Sequence, residues 1–250
     1  MVDPSSSPTP ALDAPPAPAL PRPRPSRVVL AGREVRLEPF DAARHGAGLF
    51  AASSGPGAAQ RFEFLFDDPP ANLAAVEREV AAAATRDDPL AFAVVECRTG
   101  EALGRQSLMR IVPEHGVIEI GHVLWGPRLA RTRLATEAFY LHARHVFDEL
   151  GYRRFEWKCN ARNAPSRAAA RRFGFRFEGL FLQHMWVKGR NRDTAWFGMT
   201  DRDWQRLRGA FERWLEPSNF DAAGAQRLAL ADCIEAAGGR PEPRDPILER

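Results

Sequence analysis

A strand–helix–strand–helix unit between residues 116 and 172 constrains the fold of this chain most. An apolar strand over 116–125 runs through an arginine-rich turn into a long helix over 132–150. A second strand at 154–159 then precedes a second helix over 163–172. These segments carry an apolar pattern that suits a buried core. A chain in which helices are interleaved with strands in this way is a mixed α/β protein.

Further elements are predicted on both sides of this unit. We predict strands at 35–40, 90–95, 102–111, 175–181, 184–188 and 194–199, and helices at 41–52, 72–84 and 201–215. Asn72 is predicted to cap the second of these helices, and Gly151 to end the long helix. Residues 189–193 are predicted to form a hairpin loop. Together with Lys188, they either line an acceptor groove or form a solvated hairpin tip.

The two ends of the chain differ in composition from its middle. Residues 1–27 are rich in Pro, Ala and Ser and contain no aromatic residue, so we predict a disordered tail. The predicted domain covers 28–215, and 216–250 form a weakly patterned C-terminal extension. The chain has no run of 18 apolar residues and no secretory signal pattern, so no membrane contact is predicted. Three scattered cysteines fit reduced thiols in the cytoplasm rather than a disulfide framework.

Positive charge is concentrated between residues 121 and 200. The whole chain has a formal net charge of +3, whereas this segment holds fifteen Lys and Arg residues against six Asp and Glu residues. Such a local excess attracts an anion, which can be a polyphosphate cofactor, a nucleic acid or an acidic protein surface. A solvated basic face without a ligand is the alternative.

The turn before the long helix has the features of a pyrophosphate site. A helix N-terminus presents unpaired backbone N–H groups and the positive end of the helix dipole. Arg128, Arg131 and Arg133 flank those donors. An ordinary strand–helix junction with surface arginines fits the sequence equally well.

Four ordered motifs carry a resemblance to a known family: IEIGHVLWGP, TRLATEA, FDELGYRR and NAPSRAAARRFGFRFEG. They resemble the GNAT acyltransferase superfamily and, more narrowly, its RimJ/RimL-type N-acetyltransferase branch, over roughly residues 35–214. The resemblance implies a mixed, mostly antiparallel twisted sheet that is flanked by helices and splayed at the fourth and fifth predicted strands. It also implies acetyl-CoA as co-substrate and direct acetyl transfer to a primary amine of a protein N-terminus or a small molecule.

Acetyl-CoA is expected at the arginine-rich turn and between the splayed strands. The predicted cofactor-binding residues are Val123, Leu124, Trp125, Arg128, Arg131, Thr132, Arg133, Leu134, Ala135, Thr136, Asn163, Ser166 and Arg172. The family's phosphate loop usually reads Q-x-x-G-x-G/A, and this chain has Ala130 for the Gln and Arg133 for the first Gly. The backbone donors survive this change, because any residue except proline supplies an N–H.

Ser166 is a predicted catalytic residue. Many members of the family use a tyrosine to protonate the departing thiolate, and that position here is Ala170. The N-x-x-S spacing of the RimJ/RimL-type branch matches Asn163 and Ser166. With Asn163 as N-cap, Ser166 lies in the first helical turn, where its hydroxyl can donate a hydrogen bond to the thiolate. Alternatively, Ser166 only closes that turn by bonding Asn163.

Glu119 is the second predicted catalytic residue, a base that takes a proton from the amine. If Ile118 and Ile120 face the core, strand alternation directs Glu119 to the opposite side, where partial burial raises a carboxyl pKa. An exposed glutamate paired with an arginine is the alternative. His122 is a weaker candidate, because alternation points it away from the face of Glu119.

The remaining candidates concern the acceptor and metals. Trp125 and His184 are predicted to contact the acceptor, although Trp125 alternatively packs only against the turn. His142, His145 and Glu149 are interpreted as a polar helix face, so no metal site is predicted. The oligomeric state is expected to be a monomer or a homodimer.

Two other functions fit parts of the same pattern. A catalytically silent acyl-CoA-binding or regulatory domain keeps the fold, and the missing tyrosine and altered loop favour it. A ribosome-associated or nucleic-acid-binding module would use the arginines with exposed aromatic residues between them. Because Phe155, Trp157, Phe173 and Phe175 occupy core-like positions, a nucleic acid is not the expected partner.

Overall fold

The computed structural model describes residues 19–239, which are organised around one eight-stranded sheet. The strands are β1 (Leu30–Ala31), β2 (Val35–Pro39), β3 (Leu90–Glu96), β4 (Ala102–Val112), β5 (Val117–Trp125), β6 (Arg154–Asn160), β7 (Arg176–Val187) and β8 (Arg190–Thr200). Their order across the sheet is β1-β2-β3-β4-β5-β6-β8-β7. All neighbouring pairs are antiparallel except β5 and β6, which are parallel. The predicted mixed, mostly antiparallel sheet is confirmed.

Helices cover both faces of the sheet. They are α1 (Ala42–Ser53), α2 (Ala58–Phe62), α3 (Leu73–Ala84), α4 (Arg133–Arg144), α5 (Ala164–Arg172), α6 (Asp201–Leu215) and α7 (Leu230–Ala236). On one face, Leu49 of α1 and Val80 of α3 pack on β3. On the other, the Phe139 ring of α4 stacks on Phe173 at 4.3 Å and lies 5.5 Å from Phe211 of α6. Burial of these large rings supplies much of the driving force for folding.

Strands β5 and β6 pair only over their first halves. Their ladder runs from Val117 opposite Arg154 to Ile120 opposite Trp157. Beyond that point β5 stays paired with β4, and β6 stays paired with β8. The two strands therefore separate in the middle of the sheet, which confirms the predicted splay and leaves a gap between them.

Two helix starts follow from their capping residues. The Asn72 side chain accepts a hydrogen bond from the Ala75 backbone N–H at 2.9 Å, and Asn163 accepts one from Ser166 at 3.1 Å. Each contact satisfies a donor that the first helical turn leaves unpaired. Both predicted N-caps are confirmed.

Several elements differ from their predicted bounds. The helix predicted over 132–150 is α-helical only to Arg144 and continues as a π-helical turn, His145–Glu149, before Gly151 ends it with a φ of 69°. The short elements β1, α2 and α7 were not predicted. The extended segments 175–181 and 184–188 form one strand, β7, which contains an irregularity in its pairing with β8.

The predicted hairpin loop at 189–193 is mostly strand. Strand β8 begins at Arg190, so the turn consists of Lys188 and Gly189, with φ values of 50° and 71°. Two consecutive left-handed residues make a turn whose twist matches that of the flanking strands. Arg192 therefore lies in the sheet and not in a loop.

The N-terminal tail of the described residues lies along the body of the protein. The Arg22 backbone N–H donates to the Pro113 carbonyl at 3.0 Å, and the Arg27 guanidinium lies 2.7 Å from Asp87. For residues 19–27 the structure thus differs from the predicted disorder. The rest of that prediction, residues 1–18, lies outside the described residues.

The C-terminal extension contributes to the core. Helix α7 buries Leu230, Cys233 and Ile234 in the main apolar cluster, although the apolar pattern of 216–250 is weak. Residues 240–250 lie outside the described part of the chain. Between residues 19 and 239, no helix is long and apolar enough to cross a lipid bilayer. No disulfide joins the three cysteines of the sequence.

Candidate functional site

The gap between β5 and β6 opens into a cavity of about 280 Å³. Its walls are β5 from Glu119 onward, part of β4, the end of β6, the start of α5, parts of β7 and β8, and residues of the segment 61–67. Six of the predicted site residues line it: Glu119, Val123, Trp125, Asn163, Ser166 and His184. The cavity therefore brings both predicted catalytic residues to one place.

Glu119 lines this cavity although it is only 4% exposed. Ile118 and Ile120 face the core, as strand alternation predicts. The Glu119 Oε2 atom lies 2.9 Å from Lys158 Nζ and 3.1 Å from Arg110 Nε. Burial raises the pKa of Glu119, and the two cations oppose that rise. A glutamate with a raised pKa in a cavity is a candidate general base.

His122 lines the same cavity as Glu119, so the prediction from strand alternation is wrong for this residue. The register between β4 and β5 shifts after Gly121, which leaves one extra residue in β5, and His122 has a φ of 50°. A β-bulge of this kind interrupts the alternation of side chains along a strand. Burial, together with the nearby Arg105 cation, lowers the pKa of His122 and favours its neutral form.

Ser166 presents an oriented hydroxyl to the cavity. Its backbone N–H closes the first turn of α5 by donating to Asn163. Its hydroxyl oxygen has a different partner, the Trp157 Nε1–H, at 3.0 Å. The hydroxyl therefore does not take part in closing the turn, and it can donate a hydrogen bond to an acceptor in the cavity.

The N-terminus of α4 has an uncapped first turn. Thr132 occupies the N-cap position, but its hydroxyl donates to the Leu129 carbonyl at 2.7 Å instead of capping the helix. In the described part of the chain, the backbone N–H groups of 133–135 therefore lack the partner that a capping side chain would supply. The preceding turn reaches the cavity through Ala130. Free donors and the positive end of the helix dipole form a site for an anion.

Two of the predicted phosphate-binding arginines pair with carboxylates from distant segments. Arg128 forms ion pairs with Glu96, at 2.8 Å, and with Glu101. Arg133 Nη2 lies 2.8 Å from Glu34 Oε1. Neither guanidinium lines the cavity, so the anion site at this turn consists mainly of backbone donors. Arg131 is exposed and has a φ of 64°.

The other predicted cofactor residues surround the start of α4. Arg172 Nη1 donates to the Thr136 hydroxyl at 2.9 Å and so ties α5 to α4. Leu124, Ala135 and Thr136 are at most 3% exposed, and Leu134 packs against the core.

The predicted acceptor-contacting residues both line the cavity. The Trp125 indole donates to Gln106 Oε1 at 3.2 Å, and Gln106 Nε2 lies 3.0 Å from His142 Nδ1. Burial lowers the pKa of His142 to about 3, so this histidine is a neutral member of a buried network behind Trp125. His184 Nδ1 lies 2.9 Å from the Thr194 hydroxyl. Between residues 19 and 239, no group of three or more His, Cys, Asp or Glu residues is placed to hold a metal ion.

Lys158 and Arg192 also line the cavity. Lys158 was not predicted as a site residue. Its Nζ atom lies 2.7 Å from Glu156 Oε2 and 3.9 Å from the centroid of the Trp196 ring. Strand alternation carried a signal for Lys158, because it lies on the face of β6 opposite to the core residue Trp157. Arg192 belongs to the segment 188–193, which the sequence left open as a lining of the acceptor groove or a solvated hairpin tip, and the structure places it in the cavity wall.

Comparisons with known proteins agree on one family. The model of the GNAT acetyltransferase domain family matches residues 34–176. A GCN5-related N-acetyltransferase from Brucella melitensis is 55% identical, with a TM-score of 0.84 over 86% of this chain and 98% of its own. A GNAT-family protein from Chromobacterium violaceum ATCC 12472 is 43% identical, with a TM-score of 0.69 over 77% of this chain and 98% of its own.

A more distant structure shares the fold alone. It is RimL, a ribosomal L7/L12 alpha-N-protein acetyltransferase in complex with coenzyme A, at 20% identity. Its TM-score is 0.59 over 69% of this chain and 98% of its own. A search of curated proteins gave no match.

Proposed function

The chain belongs to the GNAT acetyltransferase family, and from this premise we propose that it acetylates a primary amine by direct attack on acetyl-CoA. The observation that carries the proposal is a single cavity between two splayed strands. This cavity holds both a buried glutamate with a raised pKa and an oriented serine hydroxyl. Those are the two groups that proton transfer in this reaction requires.

Acetyl-CoA is held by the backbone more than by arginine side chains. Beyond Ile120 and Trp157, the facing edges of β5 and β6 do not hydrogen-bond to each other. The pantetheine arm of acetyl-CoA can lie between these two edges. The uncapped first turn of α4 supplies donors for the pyrophosphate. The pairing of Arg128 and Arg133 with acids supports this division of roles.

Glu119 serves as the base. An ammonium acceptor must lose one proton before its nitrogen can attack, and Glu119 takes that proton directly or through a water molecule. The C–N bond then forms and the C–S bond breaks. The second proton of the nitrogen passes, directly or through a water molecule, to the departing thiolate, which leaves as the thiol of coenzyme A. The raised pKa of Glu119 supports this role, and Lys158 holds the carboxylate in place.

Ser166 assists the leaving group. The hydroxyl donates to the departing thiolate, while Trp157 holds the hydroxyl oxygen. Helix α5 begins beside it, so the positive end of its dipole favours the negative sulfur. The N-x-x-S spacing of Asn163 and Ser166 supports membership of the RimJ/RimL-type branch and, with it, a protein N-terminus or a small amine as acceptor in the cytoplasm.

The test is a coenzyme A release assay over a panel of amines and N-terminal peptides. We expect turnover with acetyl-CoA in the native chain and a loss of about 10²-fold in Glu119→Gln and in Ser166→Ala. A matched control is Glu77→Gln on the exposed face of α3, which should leave activity unchanged. Tight binding of acetyl-CoA without turnover of any amine would instead support a catalytically silent binding domain.

A further inference from the structure

Arg192 is a buried cation without an acidic partner in the described part of the chain. The residue is 8% exposed, and its Nε atom has no hydrogen-bond partner. Among residues 19–239, no carboxylate oxygen lies within 4 Å of its guanidinium. The Arg192 Cζ atom lies over the ring of Phe66, 4.9 Å from its centroid. Stacking on a ring engages the face of a guanidinium but leaves its N–H groups unsatisfied.

Three other cations around the same cavity have acidic partners, whereas Arg61 donates to the backbone carbonyls of Ser54 and Pro56. Arg105 pairs with Asp67 and Glu79, and Arg110 and Lys158 both pair with Glu119. An uncompensated buried charge is destabilising, because burial removes its hydration without replacing it. Burial accordingly lowers the pKa of Arg192. The position of Arg192 therefore calls for a counter-ion that is not part of the described chain.

The place of Arg192 in the cavity indicates which ligand would bring that counter-ion. Arg192 lines the cavity together with residues of β7 and the segment 61–67, and Ser166 of α5 and Ala130 of the turn before α4 line the same cavity. Arg192 also lines a neighbouring cavity of about 310 Å³. Lys188, Arg190 and Arg162 line that second cavity as well, against the two acids Glu63 and Asp68, so positive charge is in excess there.

We propose that Arg192 binds a carboxylate of the acceptor, so that the acceptor is an amine that carries a carboxylate group. This inference rests on the proposed amine acetylation and names its substrate class. The guanidinium fork pairs with a carboxylate through two parallel hydrogen bonds, which fixes orientation as well as position. A carboxylate held there would leave the amine of the same molecule free to lie near Glu119. Two sources of such an acceptor share this chemistry: a free amino acid and an acidic N-terminal peptide.

The test measures binding of product-like probes and does not require turnover. N-acetylglycine is compared with N-acetylglycinamide, and N-acetyl-Ser-Glu-amide with N-acetyl-Ser-Gln-amide, by calorimetry with and without coenzyme A. In the native chain we expect at least one carboxylate probe to bind 10-fold or more tightly than its neutral counterpart. The pair that shows the preference identifies the source. In Arg192→Gln the preference disappears while the neutral probes bind as before.

Two further variants separate a ligand-binding role from a structural one. Arg78→Gln, on the exposed face of α3, removes an arginine that does not line the cavity and keeps the preference. Arg192→Lys retains the positive charge but lacks the two parallel N–H donors of the guanidinium, so it should keep only part of the carboxylate preference. The melting temperature of Arg192→Gln should equal or exceed that of the native chain, because an unpaired buried charge is removed.

Three outcomes would overturn the proposal. The first is the absence of a carboxylate preference in both probe pairs, and the second is a carboxylate preference that survives in Arg192→Gln. The third is a marked fall in the melting temperature of Arg192→Gln, which would show that Arg192 stabilises the fold by packing on Phe66. A carboxylate preference found in a protein that transfers acetyl to no amine would refute the proposed function while leaving the Arg192 site intact.

Discussion

The Trp157 indole nitrogen donates a hydrogen bond to the Ser166 hydroxyl at 3.0 Å. An indole nitrogen can only donate, so the serine oxygen accepts at this contact and its own proton is directed elsewhere. Trp157 is 4% exposed and lies in β6, which makes it a rigid support. The contact therefore leaves the hydroxyl proton of Ser166, a residue that lines the cavity, to be donated to another acceptor.

Removing this hydroxyl should slow the acetyl-transfer step without weakening cofactor binding. We expect Ser166→Ala to lower kcat about 10²-fold, the lower end of the range for a positioned proton donor. The dissociation constant of acetyl-CoA should change less than about threefold, because this bond strengthens only as the thiolate departs. Steady-state kinetics and calorimetry measure the two quantities.

The matched variant Trp157→Phe keeps the ring and the hydroxyl but removes the hydrogen bond between them. Its kcat should fall less than that of Ser166→Ala. Equal kcat values for native protein and Ser166→Ala would show that the hydroxyl has no part in the reaction.

The pH dependence of kcat/KM should report the ionisation of Glu119. A base works only when it is deprotonated, so activity falls as the pH drops through the raised pKa of Glu119. In Glu119→Gln this fall of kcat/KM at low pH, the acid limb of the profile, should be absent. The remaining kcat/KM should be about 10²-fold lower than in the native chain. Rate measurements between pH 5 and 9 on both proteins test this.

Lys158 offers a control for the same prediction. Because its charge opposes the rise in the pKa of Glu119, Lys158→Met should move the acid limb to higher pH. Two results would assign the ionisation to another group: an acid limb at the native pH in Lys158→Met, or an acid limb that persists in Glu119→Gln. His122 is the next candidate in the cavity.

Asp203 should make the stability of the fold dependent on pH. Burial disfavours its charge, but hydrogen bonds from Thr200 and the nearby Arg176 outweigh burial and lower the pKa of Asp203. A carboxyl whose pKa is lowered on folding stabilises the protein above its unfolded pKa, and this contribution is lost as the pH falls through the folded pKa.

We therefore expect Asp203→Ala to lower the free energy of unfolding by about 1–2 kcal/mol at pH 7, since it also removes the capping box of α6. The difference from the native chain should shrink below about pH 4. Asp201→Ala, at the exposed start of the same helix, is the control and should have a smaller effect. Urea unfolding at pH 7 and pH 3 measures both variants, and a difference that does not vary with pH would contradict the account.

Local signals made much of the fold predictable from sequence. Asn72 and Asn163 cap their helices through contacts with residues three positions away, so the sequence alone contains the information. The side of the sheet on which Glu119 lies was predicted from strand alternation with its neighbours Ile118 and Ile120, which is also local information.

Features that depend on distant residues were not predictable. Alternation failed at His122, because the bulge in β5 arises from its pairing with β4. The arginines of the 127–133 turn looked like phosphate ligands, but Glu34 and Glu96 approach them from segments far away in the chain. The buried position of Arg192 depends on how the β7–β8 hairpin pairs, and only the folded structure fixes that pairing.

In the proposed complex, acetyl-CoA lies in the gap between β5 and β6, and its pyrophosphate binds the backbone N–H groups at the start of α4. This placement has one consequence that depends on a single backbone N–H. It is tested most directly by two substitutions of one residue, Arg133→Pro and Arg133→Ala. Both remove the side chain and its pair with Glu34, but only proline removes the N–H. Proline is tolerated at this first helical position, and Thr132 before it has the extended conformation that proline requires, with φ −107° and ψ 170°.

The measurement is the dissociation constant of acetyl-CoA by calorimetry, with the melting temperature as a check that both variants fold. We expect Arg133→Ala to bind within about twofold of the native chain, and Arg133→Pro to bind about 10-fold more weakly because one hydrogen bond to a charged group is lost. Equal affinity in the two variants would contradict the placement of the pyrophosphate at α4.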